Sequence, residues 1–199
     1  GVCNAFNMLD GMDGLVAFLL LIPATVLSYI AYTVNIEGLI FLPTAVLTTF
    51  LIFNLGLLGK KWKIFLGDSG SMWLGFITSW FLVCFAENET RFNFHPVSAL
   101  WFVLIPVVDA MSTFTTRLLN RKSMFDGDRT HLHHILIDLG MKKSTVLLIF
   151  IIFSLSFSLL ALYFIKYDTP EYLQFYGFLT VWFFYHLLIK VPMTSSHKP

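Results

Sequence analysis

The chain has 199 residues, of which 57% are apolar and only 13% are charged, and its formal net charge is +1. Together with a mean hydropathy of +0.76, this composition excludes an ordinary soluble domain, in which about a quarter of the residues are charged. We expect the chain to reside in membrane lipid and to bind no nucleic acid. The two cysteines, Cys3 and Cys84, form no C-x-x-C pair, so neither a zinc knuckle nor a redox motif is indicated.

Six apolar segments approach or reach the length of roughly 17 to 25 residues that a membrane-spanning helix needs. The pattern predicts an all-α, polytopic bundle of transmembrane helices that forms a single membrane domain over residues 1–199. In chain order, the predicted spans cover residues 15–34, 39–58, 72–86, 97–118, 145–165 and 172–189.

The loops between six spans alternate between the two sides of the membrane, and the basic residues are divided unequally between them. Arg91 and Lys166 lie on one side, and the other eleven of the 13 lysines and arginines lie on the opposite side. The excess of positive charge predicts that this second side is cytoplasmic. Its basic residues are Lys60, Lys61, Lys63, Arg117, Arg121, Lys122, Arg129, Lys142, Lys143, Lys190 and Lys198.

A first polar motif, N-A-F-N-M-L-D-G-M-D-G, runs from Asn4 to Gly14 and directly precedes the first span. Residues three positions apart face each other on a helix, so we expect Asp10 and Asp13 to share a site that Asn7 adjoins. Carboxylates next to a membrane are costly unless they are paired, hydrated or bound to a metal. The alternative interpretation is a solvated helix cap.

A second motif, F-L-G-D-S-G-S, covers residues 65–71 and precedes the third span. Its glycines allow the backbone to approach a ligand closely, and the N–H groups of the following helix suit a phosphate. Asp68 offers the hard oxygen ligand that Mg²⁺ requires. A cytoplasmic turn with Asp68 as a helix cap is an equally good interpretation of this motif alone.

A third motif, F-D-G-D-R-T-H-L-H-H, covers residues 125–134 and concentrates three of the six histidines in four positions. We expect His131 and His134 to share a helical face beside His133, where they could contact phosphate oxygens or orient a carboxylate. A Zn²⁺ site is the rival interpretation, because histidine is the commonest metal ligand. The other polar motifs offer mainly oxygen, which favours Mg²⁺, with Mn²⁺ as an alternative.

Two polar residues lie inside predicted spans. Asp109 is about twelve residues into the fourth span, which places it some 18 Å from the outer end of a straight helix at ~1.5 Å per residue. An intramembrane carboxylate is a functional candidate, and a buried hydrogen bond to a neighbouring helix is an equally good explanation. Asn54, near the end of the second span, is more easily explained by a contact between helices than by a ligand.

Taken together and in order, the three motifs closely resemble the polyprenyl-phosphate N-acetylhexosamine-1-phosphate transferase family. The resemblance extends from Asn4 to about Gly140 and includes F-N-L-G-L-L-G-K-K-W-K and I-P-V-V-D. It is closest to the bacterial branch that transfers N-acetylglucosamine-1-phosphate. The peptidoglycan branch, which transfers phospho-muramoyl-pentapeptide, is a poorer match because Leu132 interrupts the histidine block.

The resemblance implies a role for each motif. Asp68 would be the principal Mg²⁺ ligand, and Asp10 and Asp13 would line the nucleotide-sugar pocket. Phe65 would stack near the uracil, and Asn54 would hydrogen-bond it. His131, His133 and His134 would contact phosphates. Beside these roles, we expect Asn7 and Arg129 to bind the substrates as well.

The implied reaction joins an amino-sugar phosphate from a UDP-N-acetylhexosamine to undecaprenyl phosphate and releases UMP. It would take place at the cytoplasmic face of a bacterial inner membrane, as the first step of O-antigen-type lipopolysaccharide synthesis. Direct attack by the lipid phosphate and a covalent phosphosugar intermediate would use the same residues. A homodimer is also compatible with the resemblance.

One expected element is missing from the chain. Members of the family carry an Asp-Asp pair before the first motif, and no such pair occurs here. We therefore expect the chain to be the C-terminal part of a longer transferase, and to be inactive alone.

Two rival classes fit the motifs less well. CDP-alcohol phosphatidyltransferases need D-G-x-x-A-R after the first carboxylate, and the sequence that follows Asp10 lacks it. A transporter with a proton relay should gather its polar groups near the bilayer midplane, whereas most of those found here lie towards one surface.

Overall fold

The computed structural model describes residues 1–33, 41–87, 94–119, 121 and 131–195, with the side chains of 189–195 excluded. Within these ranges the chain forms nine α-helices and no β-strand, which confirms the all-α prediction. The helices are α1 Val2–Leu9, α2 Leu15–Thr33, α3 Phe41–Asn54, α4 Gly67–Glu87, α5 Pro96–Phe102, α6 Leu104–Leu119, α7 Leu132–Asp138, α8 Lys143–Lys166 and α9 Glu171–Ser195.

The described helices are those of a membrane protein. Three of them, α2, α4 and α8, are long and apolar enough to cross a bilayer, and α5 with α6 makes a fourth candidate if the bent pair counts as one span. The predicted number of six spans is supported more loosely. The second predicted span is a helix of only 14 residues, α3, and α9 has 25 residues but is not among the three.

The fourth span is broken, which corrects the prediction of one straight helix over residues 97–118. Helices α5 and α6 meet at Val103 with a bend of 87°. Pro106 favours a break here, because it has no N–H to donate to the carbonyl of Phe102 and its ring would clash there in a continuous helix. By starting again at Leu104, α6 places Pro106 in its first turn, where no such bond is needed. The depth of 18 Å expected for Asp109 therefore does not hold.

Close packing of α1 against α4 sets the position of the first two motifs. A Cβ atom on Gly75 of α4 would lie only 2.9 Å from the Cα atom of Cys3 in α1. Small residues allow such an approach between helix backbones in a membrane. Near the start of α4, the buried hydroxyl of Ser71 donates to Oδ1 of Asn7 at 2.8 Å. The end of α1 is thereby fixed beside the beginning of α4.

Polar contacts also join loops at the far end of the bundle. Nε2 of His95, which precedes α5, lies 3.0 Å from Oδ1 of Asp168, and its Nδ1 lies 3.1 Å from Oε1 of Glu171. The sequence placed these two loops on the same side of the membrane. The contacts agree with that grouping, since the first two polar motifs and the described part of the third, residues 131–134, are at the other end.

Candidate active site

The turn between α1 and α2 lies at the centre of the candidate site. Helix α1 ends at Leu9, so Asp10 and Asp13 lie in this turn and not on a helical face as predicted. The turn is sharp: Gly14 has a φ of 77°, which glycine adopts readily and most other residues do not. The two carboxylates nevertheless face a common space.

That space is a cavity of about 430 Å³ between the turn, the end of α3 and the beginning of α4. Asp10 and Asp13 line it from one side and Asp68 from another, while Lys143 at the start of α8 contributes a positive charge. Two motifs that are 55 or more residues apart in sequence thus meet at one cavity. The cavity is lined by Asp10, Gly11, Met12, Asp13, Gly14, Val16, Ala17, Phe50, Asn54, Phe65, Leu66, Gly67, Asp68 and Lys143.

The carboxylates in the cavity influence each other's charge. Partial burial raises the pKa of Asp10 above its ordinary value, and the negative charges of Asp68 and then Asp13 raise it further. Like charges that converge in this way favour either a proton or a cation between them. The site is therefore suited to a positively charged ligand.

Asp68 lies in the first turn of α4, which begins five residues earlier than the predicted third span. The first N–H groups of a helix have no partner within the helix, and the helix dipole adds partial positive charge there. Gly67, with a φ of 67°, turns the chain into the helix at the cavity wall. An anionic oxygen and the first N–H groups of a helix are thus neighbours.

Lys63 joins the second motif to the first. Its Nζ lies 2.6 Å from Oδ2 of Asp13 and 5.1 Å from the centre of the Phe65 ring. Phe65 lines the cavity although its side chain is 73% exposed, which leaves a ring face available for stacking. Sequence analysis had counted Lys63 only as a cytoplasmic charge, because its partner is 50 residues away.

Asn54 holds the walls of the cavity together. Its Oδ1 accepts a hydrogen bond from the N–H of Gly14 at 2.7 Å, and its Nδ2 donates to the carbonyl of Ile64 at 2.9 Å. The residue is buried and lines the cavity. These bonds tie α3 to both neighbouring segments, which agrees with the structural explanation offered for Asn54.

His131 precedes α7 and is directed towards α6. Its Nδ1 lies 2.6 Å from Oδ2 of Asp109, and both side chains are buried. Oδ1 of Asp109 accepts two further bonds, from the N–H of Leu132 at 3.1 Å and from the hydroxyl of Tyr185 at 2.6 Å. Asp109 therefore makes the buried contact that was one of its two explanations, and its partner is a histidine of the third motif.

His133 and His134 lie against the turn that carries the first motif. A Cβ atom on Gly11 would lie 2.8 Å from Nε2 of His133 and 3.5 Å from Nε2 of His134. The ring of His133 is fully buried, and within the described residues neither of its nitrogens has a hydrogen-bond partner. Burial, followed by the charge of His134, lowers the pKa of His133 to about 4, so its ring is neutral at physiological pH.

The three histidines do not share one helical face, contrary to the prediction for His131 and His134. His131 has extended backbone dihedrals, and α7 begins only at Leu132. The rings of His131 and His133 are stacked with their centres 6.0 Å apart. The segment thus links Asp109 on one side to the Asp10 turn on the other.

The other predicted residues divide into two groups. Asn7 does not line the cavity and instead bonds to Ser71. Arg129 lies outside the described residues, so its predicted role stays a prediction.

The described residues include no group of three or more His, Cys, Asp or Glu side chains that could hold a metal ion. A metal in the cavity would therefore need substrate oxygens or water as additional ligands, which is the usual arrangement for Mg²⁺.

Comparison with known proteins agrees with this combination of motifs. Residues 1–86 match the sequence profile of glycosyl transferase family 4. The chain is 32% identical over 194 residues to an undecaprenyl-phosphate alpha-N-acetylglucosaminyl 1-phosphate transferase of Escherichia coli K12, with 94% of this chain and 52% of the relative covered. A protein of the same description from Yersinia pestis is 33% identical over 197 residues, with the same coverage.

The similarity is partial in one respect. The chain spans about half the length of the curated relatives it matches. No solved structure matches it significantly. The similarity over 94% of the chain and the profile match confirm the resemblance of this membrane protein to the polyprenyl-phosphate N-acetylhexosamine-1-phosphate transferases, through the glycosyl transferase family 4 motifs of residues 1–86.

Proposed function

We propose that the protein transfers N-acetylhexosamine-1-phosphate, and specifically N-acetylglucosamine-1-phosphate, from a UDP-sugar to undecaprenyl phosphate. The observation that carries this proposal is the convergence of Asp10, Asp13 and Asp68 on one cavity beside the first turn of α4. The names of the relatives give the same acceptor and the same sugar phosphate.

The cavity offers complementary contacts for a nucleotide diphosphate sugar. The N–H groups at the start of α4 and the ammonium group of Lys143 suit the diphosphate, and the exposed ring of Phe65 suits stacking of the uracil. Lys63 holds Asp13 in place at the same rim. These groups come from three separate segments, which are the turn with Asp13, the stretch from Lys63 into α4, and the start of α8, so folding is needed to assemble the site.

The reaction is a phosphoryl transfer between two anions. An oxygen of the lipid phosphate attacks the β-phosphorus of the UDP-sugar, and a new P–O bond forms. The bond from that phosphorus to the oxygen bridging to the α-phosphate breaks, and UMP leaves with the electron pair. The lipid then carries the sugar through a diphosphate. Lys143 and the helix N–H groups at the cavity stabilise the negative charge as it moves.

Mg²⁺ is the cofactor that we propose for this site. The residues present fit it, since the carboxylates of Asp10, Asp13 and Asp68 line one cavity and offer the hard oxygen ligands that this ion prefers. Asp68 would hold the ion, with Asp10 and Asp13 close by. When bound, Mg²⁺ neutralises diphosphate charge and orients the leaving group.

The position of the cavity suits substrates of different solubility. It opens at the end of the bundle where α2, α4 and α8 begin, and those helices are the three apolar enough to span a bilayer. A water-soluble nucleotide and a membrane-held phosphate could meet there. We place this end at the cytoplasmic face of the bacterial inner membrane, and assign the product to O-antigen-type lipopolysaccharide synthesis.

The test is a product assay on membranes that contain the full-length protein. Membranes receive undecaprenyl phosphate, Mg²⁺ and one of a panel of radiolabelled UDP-sugars, and the lipid fraction and released nucleotide are identified by mass. We expect a lipid diphosphate N-acetylglucosamine and an equal amount of UMP. Release of UDP in place of UMP would show transfer of the sugar without its phosphate, and would overturn the proposal.

A further inference from the structure

Asp109 is a buried acidic residue to which the proposed reaction assigns no role. It lies on α6, is 1% exposed, and three donor groups from different parts of the chain converge on it. Tyr185 of α9 and the N–H of Leu132 both bond to Oδ1, while Nδ1 of His131 lies at Oδ2. Helices α6, α7 and α9 are therefore joined through one carboxyl group.

This arrangement selects one form of the His131 ring. An ionised carboxylate only accepts hydrogen bonds, so a histidine nitrogen in contact with it must carry the proton. At 2.6 Å, Nδ1 of His131 is within that bonding distance of Asp109. A neutral His131 therefore has its proton on Nδ1 and a lone pair on Nε2, so Nε2 is the nitrogen that can accept a proton or bind a cation.

The same contact helps to determine where the histidine segment, residues 131–134, lies. His131 is the residue before α7, and its ring is stacked on that of His133. His133 is in turn pressed against Gly11, the residue after Asp10. A continuous series of contacts thus runs from Asp109 to the turn that carries the cavity carboxylates.

From these contacts we propose that Asp109, held by Tyr185, is a positioning residue that fixes the ring orientation and tautomer of His131 and seats the histidine segment against the Asp10 turn. The activity measurements for this role rest on the proposed function. The tautomer measurement does not, so the two ideas can fail separately.

The main variant is Asp109→Asn, which keeps the size of the side chain and the Oδ1 acceptor for Leu132 and Tyr185. Its amide group presents a donor to Nδ1 of His131, so Nδ1 must accept and the ring proton must move to Nε2. We expect kcat to fall roughly tenfold to a hundredfold, the range seen when partners that orient functional histidines are removed. The KM for UDP-N-acetylglucosamine should change little, because the cavity itself is intact.

Two further variants separate positioning from stability. Tyr185→Phe removes one of the three donors but keeps the carboxyl group, so the tautomer should be retained and the fall in kcat should be smaller. Ser98→Ala is the matched control, because the Ser98 hydroxyl makes a buried 2.7 Å bond to Gln174 at the other end of the bundle. We expect its activity per folded molecule to equal that of the parent.

The measurements are steady-state kinetics per folded molecule and ¹⁵N spectra of protein labelled at histidine, in which the two neutral tautomers have different shifts. The proposal is overturned if D109N keeps the parental kcat, if S98A loses as much as D109N, or if the His131 tautomer is the same in D109N and parent. Should D109N fail to accumulate, parental kinetics in Y185F overturn it. If the parent forms no lipid-linked sugar, the proposed function fails, and the spectra alone decide this inference.

Discussion

Nζ of Lys63 lies 2.6 Å from Oδ2 of Asp13, and so joins the segment before α4 to the turn between α1 and α2. Both side chains are partly exposed, at 29% and 41%, and a pair of this kind contributes no more than about 1 kcal/mol to stability. Its larger effect is electrostatic, because it places a cation next to the carboxylates of the cavity. The contact therefore matters more for ligand binding than for folding.

We predict that Lys63→Met raises the KM for UDP-N-acetylglucosamine severalfold. Without the ammonium group, Asp13 is free to move and the negative charge near the diphosphate is less balanced. The control is Lys61→Met, since Nζ of Lys61 lies 5.8 Å from the Trp62 ring centre, whereas the ion pair with Asp13 belongs to Lys63. Equal KM values for the two variants would contradict a role for the Lys63 contact.

A second prediction concerns Asp68, which faces the cavity from the first turn of α4. Asp68→Asn should abolish Mg²⁺-dependent transfer, because an amide oxygen is a far weaker ligand for this ion than a carboxylate. Membrane insertion should be unaffected. Glu87→Gln, at the opposite end of the same helix, removes the same charge away from the cavity and should remain active. Near-normal turnover by Asp68→Asn across a Mg²⁺ titration would rule out the ligand assignment.

Asn54 gives a prediction about stability. Asn54→Ala leaves the N–H of Gly14 and the carbonyl of Ile64 without their partner. The first of these bonds is buried, and an unsatisfied buried group costs roughly 1 to 3 kcal/mol. The apparent melting temperature in detergent should therefore fall, and activity should fall with it. Thr48→Ala is the control, because that exposed hydroxyl bonds only to its own helix. A loss of donor affinity without a loss of stability would instead support direct contact with the uracil.

Local patterns were enough to predict the carboxylate motifs, the helical class and the grouping of loops at two ends. Asp10, Asp13 and Asp68 line one cavity, and each adjoins an apolar span at the same end of the bundle. The errors concern tertiary contacts. Asp13 pairs with Lys63, 50 residues away, and Asp109 pairs with Tyr185, 76 residues away. The spacing of residues within one helix contains no information about either pair.

The break at Val103 was missed for a related reason. An apolar run that contains Pro106 is compatible with a continuous kinked helix and also with two helices, because both can satisfy the freed backbone groups. The choice depends on which neighbours surround the run. The same ambiguity applies to His131, whose position before α7 depends on its bond to Asp109.

The division of basic residues gives a prediction about topology. A cysteine placed at position 61 should be shielded from an impermeant maleimide in intact cells, whereas one placed at Asp168 should react. Both positions are exposed, and the background would carry Cys3→Ser and Cys84→Ser. Permeabilised cells provide the control, in which both cysteines should react. Ready labelling of position 61 from outside would reverse the orientation, and would be incompatible with a cytoplasmic nucleotide sugar.

The last prediction follows from the burial of His133, which lowers its pKa to about 4. The ordinary value of about 6.5 applies to the unfolded chain. Below pH 6.5 the unfolded state therefore binds a proton that the folded state does not. The contribution of His133 to the free energy of unfolding is fully present above that pH and declines as the pH falls towards 4. The loss from this group should reach about 2 kcal/mol at pH 5. His133→Asn removes the titrating ring, so its apparent melting temperature should fall less than that of the parent between pH 7 and pH 5. Parallel decline of the two proteins over this interval would show that His133 is able to bind a proton in the folded state, and that the ring is not sealed between Gly11 and the neighbouring histidines.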